Sequence, residues 1–239
     1  MSNKRRKKWC LSLEKLRRNK MKPFTDAEFE EFKTMCISDD GWTLANHDDI
    51  NTGYTTQTEN SSTLRMKLKS KLFEPFSINL VFDMLSDPQF RAEWDGNILE
   101  RKTIDTIDEH NEIDYYSVSM PVVSNRDFLY QRGWKYNKDE FIIMNKSVVD
   151  QRAPEVSGIV RANIRISGYM VRIEDGKCKL YYIAHNDWNG WIPSFIFNTF
   201  GPSFCPSVLN KMAAGCKKYE DWYKQQKPYE RPWKKLIEV

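Results

Sequence analysis

The chain has 239 residues, 40% hydrophobic and 29% charged, a balance that excludes a disordered chain and suffices for one large core or two small ones. No apolar run approaches the roughly 20 residues of a membrane-spanning helix, and basic residues stand where a signal peptide carries its apolar stretch, so a soluble cytoplasmic protein is expected. The net charge of +4 conceals a split: residues 1–22 hold ten basic residues against the single acid Glu14, a net +9, which leaves −5 for the remainder and excludes a nucleic-acid-tracking surface on the body.

The arm, residues 1–22, places Trp9, Leu13 and Leu16 on one helical face among Lys and Arg. Three readings stay open for it: a solvated leader, a device for docking on anionic membranes, or a nuclear-localisation-like signal. Cys10 beside this face is a candidate for S-acylation. Pro23 then opens a helix with Thr25 as N-cap, Glu28 as its capping-box partner, and Phe24, Phe29, Phe32, Met35 and Cys36 on the buried side. Strand-like stretches follow at Trp42–His47, Ile50–Gln57 and Thr63–Leu72; in the last, Leu64, Met66 and Leu68 alternate with Arg65, Lys67 and Lys69. Ser77 caps a helix ending at Asp87-Pro88, and a helical turn covers Gln89–Gly96.

The next ninety residues or so read as an antiparallel meander with strands at Ile98–Ile107, Glu112–Met120, Arg126–Tyr136, Glu140–Val149, Gly158–Ile173 and Lys177–His185. Asp175-Gly176 is its strongest hairpin signal. After Pro193 the pattern is helical to about Gln226, with a break at Gly201-Pro202 and a longer helix from near Pro206. The tail Lys227–Val239 reads as a loosely packed extension. This order describes an α+β domain in which a curved antiparallel sheet wraps a terminal helix. A closely packed core and a ligand cavity satisfy the same periodicity.

The chemistry of catalysis is missing from the pattern. There is no GxSxG elbow, P-loop, GxGxxG or HExxH, and His47, His110 and His185 have no ligand spacing. Cys10, Cys36, Cys178, Cys205 and Cys216 form no CxxC pair. Metal and nucleophile chemistry are therefore not expected, and no cofactor is called for.

Five motifs in order carry a resemblance. Phe90-Arg91-Ala92-Glu93-Trp94-Asp95 resembles the (R/K)xxWD signature of the START lipid-transfer family, and Ser124-Asn125-Arg126-Asp127-Phe128 resembles its NRD strand opening. Ser157-Gly158-Ile159-Val160-Arg161 is similar to the (S/G)GxxR strand, Trp191 to Asn198 to the IPxWLxN segment leading into the last helix, and Lys211 to Cys216 closes the series. The match spans about residues 24–226, and the phosphatidylcholine transfer protein branch is nearest in look.

The resemblance implies a helix-grip fold, an arm at 1–22, a lipid-binding domain at 23–226 and an extension at 227–239. It implies a protein that is not an enzyme and that binds a single lipid and exchanges it between membranes; the expected ligand is one glycerophospholipid, phosphatidylcholine or phosphatidylethanolamine, carried by a monomer whose basic arm makes transient contact with anionic membrane surfaces. A lipid-sensing module that recruits a protein, and a sterol or ceramide carrier, are the alternatives. The family's phosphate-facing arginine falls on Arg91 and its aspartate on Asp95; a purely structural Arg–Asp pair is the other reading of these two. A choline cage of aromatic rings falls on Tyr116, or on Tyr115 if the register slips by one, and on Phe128. The third ring position falls on Arg165, which implies rearranged rings, an arginine turned away, or a different head group. The loop 149–156 corresponds to a lid, and Trp188, Trp191 and Phe197 are candidate membrane contacts, since indole suits the water–lipid boundary.

Overall fold

The computed structural model describes residues 21–59, 63–192 and 204–236. Among these residues, four α-helices, α1 (Asp26–Ile37), α2 (Ile78–Ser86), α3 (Arg91–Trp94) and α4 (Phe204–Lys224), and a 3-10 turn (Pro232–Leu236) pack on a ten-stranded sheet. Its strands are β1 (Thr43–His47), β2 (Asn51–Thr56), β3 (Arg65–Ser70), β4 (Ile98–Asp108), β5 (Asn111–Val118), β6 (Arg126–Tyr136), β7 (Glu140–Ser147), β8 (Val160–Arg161), β9 (Asn163–Glu174) and β10 (Lys177–Asp187). The order is β1-β2-β3-β10-β9-β7-β6-β5-β4, with β8 off this path on β6. The last strand therefore closes against the N-terminal meander, and the two-residue turn Asp175-Gly176, with both φ positive, joins β9 to β10.

Strand alternation gives the sheet two buried faces. Ile142, Met144, Met170, Tyr181 and Ile183 meet Phe29, Phe32 and Cys36 of α1. Their sequence neighbours Phe141, Ile143, Tyr169, Val171 and Leu180 meet α2, α3 and α4 through Phe82, Phe90, Leu209 and Met212. The caps anticipated from sequence are formed: Thr25 Oγ1 accepts from Glu28 N at 3.3 Å while Glu28 Oε2 accepts from Thr25 N at 2.8 Å, and Ser77 Oγ accepts from Leu80 N at 3.2 Å. Gly168 of β9 permits a close approach, since a Cβ there would lie 2.1 Å from the Ile143 carbonyl oxygen.

Two expectations are corrected. The single strand Gly158–Ile173 is two: β8 runs parallel to β6, with Val160 N and Ala162 N donating to the Asn125 and Asp127 carbonyls, before β9 joins β7 and β10. The tail is not loose. Trp233 is only 8% exposed and donates through Nε1 to Asp83 at 2.7 Å, Arg231 pairs with Asp83 at 2.8 Å, and the Tyr229 hydroxyl donates to Asp87. Two buried acids on and beside α2 thus fasten the chain end, and Asp87 also accepts from Tyr219 of α4 at 2.8 Å. Cys36, Cys178 and Cys216 are buried free thiols. No helix among the described residues is long and apolar enough to cross a membrane.

Candidate functional site

Between the inner face of the sheet and α3 lies a cavity of about 110 Å³. Cross-strand rungs build its wall: Arg101, Tyr116 and Phe128 stand side by side on β4, β5 and β6, followed by Thr103, Asp114 and Tyr130, then by Glu112 and Arg132. Period two along β6 puts Phe128, Tyr130, Arg132 and Trp134 on one face, and β9 adds Ile164, Ser167 and Tyr169. Asn145 of β7 and Tyr182 and Asn186 of β10 complete that side, and Arg91 enters from α3. The volume falls below the roughly 300–1,000 Å³ of a pocket that encloses a drug-sized ligand.

The cavity is polar in an ordered way. Arg101 donates to Asp114 at 2.6 Å, Thr103 Oγ1 donates to the other Asp114 oxygen at 2.8 Å, and Arg132 donates to Glu112 at 3.2 Å and to the Leu85 carbonyl at 3.2 Å. Burial, then the adjacent Asp114, raises the Glu112 carboxyl above its ordinary value. Burial likewise raises the phenols of Tyr116, Tyr130 and Tyr169, which keeps all three neutral at physiological pH. Arg91 pairs with Asp95 through Nη2 at 2.9 Å and lies over the Trp94 ring at 4.0 Å. Burial alone would lower its pKa, but Tyr169 and Asp95 outweigh that and raise it. Its side chain is 27% exposed and is one of those that line the cavity.

The remaining sequence candidates sort by face. Tyr116 lines the cavity and stacks on the buried Phe128 at 4.7 Å, with Tyr130 edge-on at 5.4 Å. Tyr115 points the other way, into a cluster with Ile113, Leu129 and Ala153. Arg165 lies outside the lining and pairs with Asp187 at 2.6 Å. The reason is a bulge: His185 and Asn186 pair with Ile166 and Ile164, so Arg165 is passed over and Ile164 takes the inward position that unbroken alternation would give it. Trp188, expected at the membrane boundary, is half-buried with its ring edge-on to Phe128 at 5.7 Å. Trp191 is 76% exposed. Phe197 and the arm up to residue 20 lie outside the described residues.

Arg126 and Asp127 serve the frame of the site. The buried Arg126 donates to the carbonyls of Ser124, Trp188, Asn189 and Trp191, and Asp127 takes a two-pronged pair from Arg161 at 2.8 and 3.0 Å. Arg161 also donates to the Ala153 and Pro154 carbonyls of the loop 149–156, both at 3.3 Å. These contacts gather the loops around the β6 end of the cavity.

A family model described as START domain matches residues 24–221. The chain belongs to the START domain family. START domain-containing protein 10 of Mus musculus is 29% identical over 212 residues, which is 87% of this chain and 72% of that protein. Phosphatidylcholine transfer protein of Bos taurus is 28% identical over 152 residues, 59% of this chain and 68% of that protein. The crystal structure of human STARD10 superimposes with a TM-score of 0.82 at 26% identity, covering 92% of this chain and 90% of that one. START domains are lipid transporters rather than enzymes, which gives the cavity its frame of reference. Sequence reasoning missed Arg101, Tyr130, Arg132, Asn145, Ser167, Tyr169, Tyr182 and Asn186. Continuing the period-two pattern outward from Phe128 would have found Tyr130 and Arg132.

Proposed function

We propose that the protein binds one glycerophospholipid, phosphatidylcholine or phosphatidylethanolamine, with its head group in the cavity, and transfers it between membranes without catalysing a reaction. The observation that carries this reading is the Arg91 guanidinium, fixed by Asp95 and Trp94 and turned toward a ring-lined cavity. A guanidinium fork matches phosphate geometry, whereas a sterol would bring one hydroxyl to a wall of arginines. Tyr116, backed by Phe128, supplies the ring wall beside the cation of the head group. Membrane contact falls to Trp191 and to the loop 149–156, where Val149 is 95% exposed, with Phe197 and the basic arm as further contacts. A monomer meets these requirements.

Native mass spectrometry of the purified protein tests the ligand class: the expected result is a one-to-one adduct with the mass of a diacyl phospholipid. An exchange assay between donor and acceptor vesicles tests transfer. Tight binding without exchange would convert the reading into that of a lipid sensor, and a sterol or ceramide adduct would overturn the head-group assignment.

A further inference from the structure

Three polar atoms of the cavity residues are left without partners by the fold. Among the described residues, Arg91 Nε, Asn145 Oδ1 and Asn186 Oδ1 are buried and make no hydrogen bond, and all three residues line the same 110 Å³ cavity. The first is a donor on a full positive charge; the other two are neutral acceptors. Buried polar groups are nearly always paired. A site that keeps both kinds open is complementary to a ligand that brings an anion and hydrogen-bond donors together.

Other charged side chains of the lining are already engaged. Arg101 is held by Asp114, Arg132 by Glu112 and the Leu85 carbonyl, and Asp87 by Tyr219 and Tyr229. What stays open has a definite sense, with the anion at Arg91 on α3 and donors facing Asn145 of β7 and Asn186 of β10. Every phospholipid brings the phosphate. The head groups differ in the donors, because a primary ammonium carries N–H bonds while a trimethylammonium carries none and depends on ring faces.

Ring faces are the scarcer resource here. Tyr116 is stacked on Phe128 at 4.7 Å and 18°, and Tyr169 on Tyr182 at 5.1 Å and 19°, so one face of each ring is covered by another ring. The bulge that sends Arg165 to Asp187 places an aliphatic side chain, Ile164, at the third wall position. Across the same bulge, Asn186 is the residue that pairs with Ile164.

Resting on the phospholipid-carrier reading, we infer that the cavity selects a primary-ammonium head group, phosphatidylethanolamine over phosphatidylcholine, with Asn145 and Asn186 as the specificity-determining residues. Arg91 holds the phosphate of either lipid alike. Methylation of the ammonium removes one donor at a time and is therefore the direct probe.

The test is transfer by the full chain from vesicles containing equal amounts of phosphatidylethanolamine, its N-methyl and N,N-dimethyl derivatives and phosphatidylcholine, all with the same acyl chains, read in acceptor vesicles by mass spectrometry. Transfer is expected to change least at the first methyl group, which leaves two N–H donors for the two acceptors, and to fall at the second and third, ending at least about tenfold lower for phosphatidylcholine, the scale of one hydrogen bond to a charged group. Asn145→Leu and Asn186→Leu are each expected to bring the ethanolamine-to-choline ratio toward one, and Arg91→Ala to depress the whole series evenly. A flat series with the unmutated protein overturns the selection while leaving the carrier reading intact, and requires no variant to fold. A steep series unchanged in folded Asn145→Leu and Asn186→Leu overturns the role of the asparagines, and transfer of no member overturns the carrier reading itself.

Discussion

At Arg91 two roles meet in one side chain, and their magnitudes separate them. The pair with Asp95 spans four residues of a short helix, and such pairs contribute about 0.3–0.5 kcal/mol. A charge-assisted contact to a phosphate contributes about 1.5–3 kcal/mol, roughly one to two orders of magnitude in affinity. Arg91→Ala is therefore expected to lower phospholipid binding ten- to a hundredfold while shifting the unfolding midpoint little; binding at wild-type strength by the folded variant would remove Arg91 from the site. Asp39 contributes to acid stability. Partial burial pushes the Asp39 carboxyl up, but hydrogen bonds from Lys67 and Lys69 outweigh it and bring the group from 3.8 down to about 2. A depressed carboxyl stabilises the fold above its unfolded value and loses that contribution as pH falls, here between about 4 and 2. Asp39→Asn should lower stability at neutral pH by about 1 kcal/mol, the upper end for a partly exposed pair, and flatten the pH dependence of unfolding in that window. An unchanged acid limb in urea titrations would assign the effect elsewhere.

Among the elements, the C-terminal extension departs most from its reading in sequence. Its anchor is apolar and acidic at once: Trp233 enters the core cluster shared with α2 and α4 while its indole N–H reaches Asp83. Removing a buried aromatic side chain typically costs about 3–5 kcal/mol, and the terminal position allows relaxation, so Trp233→Ala is expected to destabilise by about 3 kcal/mol at the low end of that range. Urea unfolding measures this, and a loss under half of that value would mean the tail rides on the surface. The β9 bulge is the second decisive element. One extra residue moves Arg165 out to Asp187 and brings Ile164 in, so a strand with correct boundaries presents different chemistry to the cavity than its alternation implies.

For the molecule as a whole, charge separation between arm and body suggests how exchange begins. Residues 1–22 carry +9, and each basic residue near an anionic surface contributes about 1 kcal/mol before screening. Deleting residues 1–22 is expected to slow transfer to anionic vesicles, spare transfer to neutral ones, and leave equilibrium lipid binding intact, with high salt mimicking the deletion. Equal rates to anionic vesicles at low salt, with and without the arm, would leave it as a solvated leader or a targeting signal.

What the sequence determined by itself is local or repetitive. The Thr25 and Ser77 caps, the Asp175-Gly176 hairpin and the strands from β4 to β7 rest on contacts within a few residues or on a period of two, and the five ordered motifs point to the START family. Choosing Tyr116 over Tyr115, by contrast, needed the sheet face, since one residue of register reverses which ring faces inward. The pairing of Trp233 with Asp83 joins residues 150 apart, and no local pattern encodes it. The open acceptors of Asn145 and Asn186 exist only because β7 and β10 bring them to one cavity without giving either oxygen a partner among the described residues. Such properties belong to the space between elements, where tertiary packing alone decides which polar atoms are satisfied.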